Sequence, residues 1–223
     1  MRVQGGLLNH LATLSCCQDV LAGDKHLAVE AVFAAGAPGT CLSADLTTAT
    51  DLLPFELCKE LWKGVVGGCR GLTSREKYNL LVLGEASFGP QTIKYPSLGD
   101  QEVTTKRGIM MGLPLSWAML NIVHLFWLDY ATRQAGPSIP PRPGSGPWPF
   151  STCGDDLVLV APDGVLDRYE QVAILCGARF SSSSKHIRSS KGGVFAEVVF
   201  WIRPQEEEDR WLRVDPELER GMG

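Results

Sequence analysis

The chain has 223 residues, 44% hydrophobic and 21% charged, with a formal net charge of −4. That length is enough for one large domain or two small ones with a real core, and the composition excludes a wholly disordered chain. The acidic balance weighs against an autonomous nucleic-acid binder, which needs a basic footprint, but suits a centre where carboxylates hold cations.

Residues 1–40 read as partly helical, with Leu27, Val29, Val32 and Phe33 on an apolar face before a glycine-rich break at 36–39. Cys41 to Leu46 follows as a short buried strand. Pro54 is placed to open a helix that runs to about Val66, which Gly64, Gly67, Gly68 and Gly71 are expected to end. Thr73 or Ser74 caps the next helix, through Leu83. Gln91 to Lys106 alternates polar and apolar residues around Gly99-Asp100, the pattern of a hairpin.

Pro114 and Ser116 start an apolar helix to about Arg133, and proline and glycine then dominate 136–149, which predicts a loop or tether. Two strands, Phe150 to Cys153 and Leu157 to Val160, are joined tightly. A helix from Leu166 to Cys176, two or three short strands up to Trp201, and a charged tail from Glu206 to Gly223 complete the chain. Strands separated by long helices, with one tight hairpin, predict an α+β fold: an antiparallel sheet with helices on one face.

Seven cysteines form no CxxC pair, which fits reduced thiols rather than a disulfide framework or zinc site. No signal-peptide order opens the chain, and the longest apolar candidate, Ile109 to Leu128, is broken by Pro114, Ser116, Asn121 and His124. His124 reads as a helix residue with a satisfied hydrogen bond and His186 as a surface residue, since neither has partners at metal-ligand spacing.

Three stretches carry candidate chemistry. In Cys153-Gly154-Asp155-Asp156, Gly-Asp suits a type II′ turn, which would project two adjacent carboxylates from the tip of a β-ribbon. Carboxylates that close repel unless a hard divalent cation sits between them; alone, the same tripeptide also suits a plain acidic turn. In Ala44-Asp45-Leu46-Thr47-Thr48-Ala49-Thr50-Asp51, Asp45 ends the apolar strand and Asp51 follows at the next helix, where it or Thr50 would equally serve as a cap. In the run from Arg107 to Trp117, a glycine-bounded loop enters a helix whose Ser116 and Asn121 stand out among apolar residues. A buried amide is costly without a partner, so Asn121 calls for one, whether ligand or backbone.

Taken in order, "SADLTTATD", "RGIMMGLPLSW…N" and "CGDDLVLV" resemble motifs A, B and C of viral RNA-dependent RNA polymerases, most of all the ourmia-like (botourmiavirus) and narnavirus type. The resemblance runs from about residue 25 to residue 200. It implies the palm of a right-hand polymerase spanning 41–202, with a fingers remnant at 1–40, a fingers-type insertion at 67–107, and a tail or start of a thumb at 203–223. It implies Asp45, Asp155, Asp156 and the carbonyl of Leu46 as ligands for two Mg²⁺ ions, or Mn²⁺. Asp51 and Asn121 match the pair that senses the ribose 2′-hydroxyl, Ser116 the hydroxyl that supports it, and Gly112 the loop that seats the template base. Five positions separate Ser116 from Asn121, about 140° around a helix, so the two do not share one helical face.

Phe180 to His186 resembles motif D, which makes Lys185 the general acid for pyrophosphate, with Lys191 as rival. Gly193-Val194-Phe195-Ala196-Glu197 resembles motif E. The implied partners are RNA template, primer or nascent strand and NTPs, in the host cytoplasm or alternatively the mitochondrion. The family's basic motif F and a full thumb have no match here, which points to missing fingers and thumb segments or a second subunit. Two other readings remain: a reverse transcriptase, which typically has an aromatic residue where Cys153-Gly154 stands, and a non-catalytic scaffold derived from a polymerase.

Overall fold

A computed structural model of the chain describes residues 2–202, except 36, 114, 135–147 and 183–184. Most of the expected loop at 136–149 and the tail from Glu206 to Gly223 therefore lie outside the described residues.

Three helices open the chain, α1 (Arg2–Leu11), α2 (Ser15–Leu21) and α3 (Lys25–Ala34). Asp24 caps α3 by accepting the Leu27 N–H at 2.8 Å. Strand β1 (Thr40–Asp45) is followed by a single helical turn, α4 (Ala49–Leu52), and then by α5 (Phe55–Gly68). Pro54 stands at the N-cap of α5, one residue before the helix it was expected to open. The helix ends at Gly68, two residues past its expected end at Val66, while Gly64 and Gly67 lie within it, because Trp62 and Val66 anchor its buried side to the core. Helix α6 (Ser74–Ser87) starts with a full capping box, in which Thr73 and Glu76 satisfy each other's backbone N–H groups.

The next hairpin, β2 (Thr92–Tyr95) and β3 (Gln101–Thr104), turns through Gly99 and Asp100, both at positive φ. Helix α7 (Ser116–Gln134) leads to β4 (Phe150–Cys153) and β5 (Asp156–Ala161). Helix α8 (Asp163–Leu175) begins three residues before its expected start at Leu166, and three short strands follow, β6 (Ile187–Ser189), β7 (Gly192–Phe195) and β8 (Val198–Trp201).

The central sheet is antiparallel in the order β4-β5-β1-β6, as the α+β reading requires. Because side chains alternate along a strand, its two faces are lined by different residues. Leu42 and Ala44 of β1 and Leu157, Leu159 and Ala161 of β5 point into the main core, where Trp127 of α7 and Leu166 and Tyr169 of α8 meet them. Cys41, Val158 and Val160 point the other way, against Ala28, Val29 and Val32 of α3 and Phe195 and Phe200 of the β7–β8 hairpin. The sheet is thus covered on both sides, by α7 and α8 on one and by α3 with a hairpin on the other. At the end where β1 runs out and the β4–β5 turn begins, Asp45, Asp155 and Asp156 lie together.

Candidate active site

In the antiparallel pairing of β1 with β5, Thr40 is matched with Ala161 and the register ends with Asp45 directly opposite Asp156. Opposed residues in such a pair project to the same face with Cα atoms about 5 Å apart. The strand pair β4–β5 closes at Cys153 opposite Asp156, which leaves Gly154 and Asp155 as a two-residue turn. Gly154 has φ +68° while Asp155 is not among the positive-φ residues, as a type II′ turn with glycine first demands. The Leu46 N–H donates to the Asp155 carbonyl at 3.3 Å, which ties the end of β1 to the turn. Three acidic side chains from two distant stretches therefore converge at one end of the sheet.

Their electrostatics reflect that convergence. Burial, then the charges of Asp155 and Asp45, push the Asp156 carboxyl up to about 7, against smaller opposing effects of Lys185 and Lys25. Asp155 is also raised, by burial first and by Asp45 as well, while its own backbone and Lys185 pull the other way.

Asp45 is held from the far side of the chain. Leu46 forms a bridge with Phe180, closed by Ser181 N–H to the Asp45 carbonyl (2.8 Å) and Thr47 N–H to the Arg179 carbonyl (2.8 Å), a pattern that does not use the Leu46 carbonyl. The bridge delivers the Ser181 hydroxyl to Asp45 Oδ2 at 2.5 Å. Lys185 Nζ lies 3.7 Å from the same oxygen, with a side chain 66% exposed against 14% for Asp45. Lys191 sits between β6 and β7, and among the described contacts none joins its side chain to these carboxylates. Lys25, at the start of α3, donates to the Ala196 carbonyl at 2.9 Å and carries its charge toward Asp156. Neither Ser181 nor Lys25 stood out in the sequence, since each acts across more than a hundred residues.

Helix α7 forms the back of the site. Ser116, at its first turn, donates to the carbonyls of Leu113 (2.8 Å) and Met111 (2.9 Å), so it shapes the glycine loop before the helix. Gly112 is exposed with open space around it. Asn121 is fully buried: its amide donates to the Trp117 carbonyl at 2.8 Å, and its oxygen accepts the Gly154 N–H at 3.2 Å. The buried amide thus has the dedicated partner that its surroundings call for, and that partner is the carboxylate-bearing turn.

Asp51 lies exposed on α4, where neither it nor Thr50 caps the helix: the N-cap is Thr48, at φ +49°. Its backbone packs under Gly108, where a Cβ would come within 2.6 Å of the Asp51 carbonyl oxygen. The polar contacts of Asn121 are with Trp117 and Gly154, and that of Asp51 is with Thr50.

The two histidines differ from expectation in detail. His124 is fully buried, shares a 2.7 Å hydrogen bond with the Tyr169 hydroxyl through Nδ1, and has no partner of standard geometry for Nε2, although the Gly154 backbone lies close enough to favour its protonation. His186, read as a surface residue, is half-buried: it contacts Glu170 at 3.0 Å and stacks on Phe180 with ring centroids 4.3 Å apart.

The donor chemistry fits a hard divalent cation, since repelling, partly desolvated carboxylates gain most from one. Among the described residues no group of three His, Cys, Asp or Glu side chains is placed to hold a metal ion. Mg²⁺ asks for fewer protein ligands, because it keeps several waters and binds through one or two carboxylates plus substrate phosphates.

No family model matches the chain. It is 34% identical over 213 residues to the RNA-directed RNA polymerase of Saccharomyces 23S RNA narnavirus, covering 90% of this chain and 21% of that protein. It is 37% identical over 180 residues to that of Saccharomyces 20S RNA narnavirus, covering 81% of this chain and 20% of that one. The chain thus spans about a fifth of the length of these curated relatives. Among solved structures, the RNA-dependent RNA polymerase of a human picobirnavirus shares the fold at TM-score 0.57 and 15% identity, covering 78% of this chain and 33% of that one. A C-terminally truncated apo telomerase from Candida tropicalis does so at TM-score 0.58 and 13% identity, covering 96% and 44%.

Proposed function

We propose that the chain, similar to one segment of the narnavirus RNA-directed RNA polymerases, forms the catalytic palm of such an enzyme, copying viral positive-strand RNA by nucleotidyl transfer. The observation that carries this reading is Asp45 opposite Asp156, beside the Asp155 turn. Asp45, Asp155, Asp156 and the Leu46 carbonyl would hold the metal. Two bound Mg²⁺ ions, or Mn²⁺, would supply the charge that activates a primer 3′-hydroxyl and neutralises the triphosphate.

The protein's own part is placement. Ser181 fixes one oxygen of Asp45, so that the other is free to face the cation. Lys185, close to Asp45 and largely exposed, is poised to hold or pass a proton at the triphosphate end of the site. Asp51, exposed on α4, is the group we assign to the ribose 2′-hydroxyl, which a carboxylate recognises by accepting its hydrogen. Gly112 and Ser116 shape the loop for the template base.

RNA template, nascent strand and NTPs are the partners in this reading, with the host cytoplasm or the mitochondrion as its location. Among the described residues no helix is long and apolar enough to cross a membrane. We assign 1–40 to a fingers remnant, 67–107 to a fingers-type insertion and 203–223 to a tail or start of a thumb. The chain carries a net charge of −4 and corresponds to a fifth of its relatives' length, which leads us to assign the phosphate-gripping cations elsewhere. Phosphate grip comes from other polymerase segments, and the isolated palm binds metal without polymerising.

Mn²⁺ titration of the chain tests the core of the proposal. Binding that is lost in Asp155→Ala is expected, and equal behaviour of the two proteins would leave only a scaffold. The fold likeness spans an RNA polymerase and a telomerase, so it does not choose the sugar. Incorporation of NTP against dNTP, with and without Asp51→Ala, in a polymerase containing this palm decides that point.

A further inference from the structure

One feature of the fold takes no part in the proposed chemistry. It is the buried polar column behind the Gly154-Asp155 turn. Asn121 is inaccessible to solvent, and both ends of its amide are engaged with backbone. Trp117 lies so close that a Cβ on Gly154 would meet its Nε1 at 2.8 Å. One turn further along α7, His124 lies beside the Gly154 backbone and bonds to Tyr169 of α8, which is also fully buried. The column therefore runs from α8 through α7 to the peptide N–H that precedes Asp155 and Asp156.

We propose that Asn121 is a positioning residue that fixes the Gly154 peptide, and through it the two carboxylates of the turn, rather than a group that meets the ribose. The reason is geometric. A two-residue turn at the tip of a ribbon has few contacts of its own, and a single N–H held in a buried amide restricts its rotation. Fixing it sets the direction in which Asp155 and Asp156 leave the backbone before any metal arrives. Partners that orient metal ligands from behind typically contribute 10- to 100-fold in metal affinity. The amide suits the site because two separate atoms meet its two needs at once, Nδ2 donating to the Trp117 carbonyl and Oδ1 accepting the Gly154 N–H.

This inference rests on the metal-binding reading given above, and its test separates the two. Mn²⁺ affinity is measured for the wild-type chain, Asn121→Ala and Asn121→Asp, with folding followed by circular dichroism and amide exchange read at Gly154. Wild-type binding, a loss of about tenfold or more in a folded Asn121→Ala, faster exchange at Gly154, and recovery in Asn121→Asp under conditions where the buried carboxyl is protonated support the proposal. A protonated Asp has the same donor and acceptor pair as Asn. Unchanged affinity in a folded Asn121→Ala overturns the proposal and leaves the metal site standing. No binding by the wild-type chain overturns the metal site itself. Should Asn121→Ala fail to fold, the wild-type Gly154 amide decides: exchange as fast as an exposed turn amide overturns the clamp, and strong protection supports it.

Discussion

Asp45 and Asp156 stand directly opposite one another on β1 and β5, so the last residue of one strand and the first of the other project carboxylates to the same face. The pair is unfavourable without a cation: burial and the neighbouring charges hold the Asp156 carboxyl at about 7, far above an ordinary aspartate. Sequence order alone does not require this register. It follows from the hydrophobic alternation, because Leu42, Ala44, Leu157 and Leu159 must all face the main core.

Replacing either carboxylate is therefore expected to stabilise the metal-free chain. Asp45→Asn or Asp156→Asn removes a repulsive partner and should raise Tm in EDTA by a few degrees, the trade between stability and function that charged sites show. The same substitutions should abolish any rise in Tm on adding Mn²⁺ to the wild-type chain. Thermal melts with and without metal check both halves, and a lower metal-free Tm in both variants would contradict the repulsive arrangement.

Half-buried Asp156 and fully buried His124 give opposite pH dependences. Asp156 titrates at about 7 in the folded chain and near 4 when unfolded, so between these values the folded state binds the extra proton and stability falls as pH rises. Burial lowers His124 to about 4 against an ordinary value near 6.5, so there the unfolded state binds the extra proton and stability rises with pH. Each slope is at most about 1.4 kcal/mol per pH unit, and from pH 4.5 to 6.5 they oppose each other. In urea melts in EDTA, Asp156→Asn should make the slope against pH more positive and His124→Asn more negative than wild type. Identical slopes in all three proteins would show that neither group is buried as described.

Gly154 combines a backbone and a packing requirement. Its φ of +68° is costly for any residue with a Cβ, and that atom would meet Trp117 Nε1 at 2.8 Å. Gly154→Ala is expected to cost about 2 to 3 kcal/mol of stability, of which roughly 1 to 2 kcal/mol is backbone strain. In a Trp117→Ala background the packing part disappears and only the strain remains. A double-mutant cycle by denaturant unfolding measures the difference, and no coupling between the positions would place Trp117 away from the turn.

Much of the site was legible in the sequence because its parts are local. The strand ending in Asp45, the Gly-Asp turn and the helix after Ser116 each follow from short patterns of apolar, glycine and capping residues, and all three form as expected. What the sequence could not show is long-range. Ser181 reaches Asp45 across 136 residues through a one-residue bridge, which leaves no periodic trace. The coverage of the second sheet face by α3 is also a tertiary outcome, since its residues read equally well as any short amphipathic helix. Gly64 misled for a related reason: a helix-breaking propensity of about 1 kcal/mol yields to the burial of Trp62 and Val66, and the helix runs on to Gly68.

The geometry also separates the two lysines that the sequence left as rivals. Lys185 Nζ lies 3.7 Å from Asp45 and its charge reaches Asp155 and Asp156, whereas Lys191 has no described contact with any of them. In a polymerase containing this palm, Lys185→Ala should lower kcat by about 10²-fold or more, the range for loss of a general acid, with little change in KM for NTP. Lys191→Ala should leave both parameters near wild type. Lys185→Arg keeps the charge but cannot release a proton at neutral pH, so it should leave KM near wild type without restoring kcat. Full activity in Lys185→Arg would reduce Lys185 to a counter-charge for Asp45, and a larger loss in Lys191→Ala than in Lys185→Ala would move the proton donor to the β6–β7 turn.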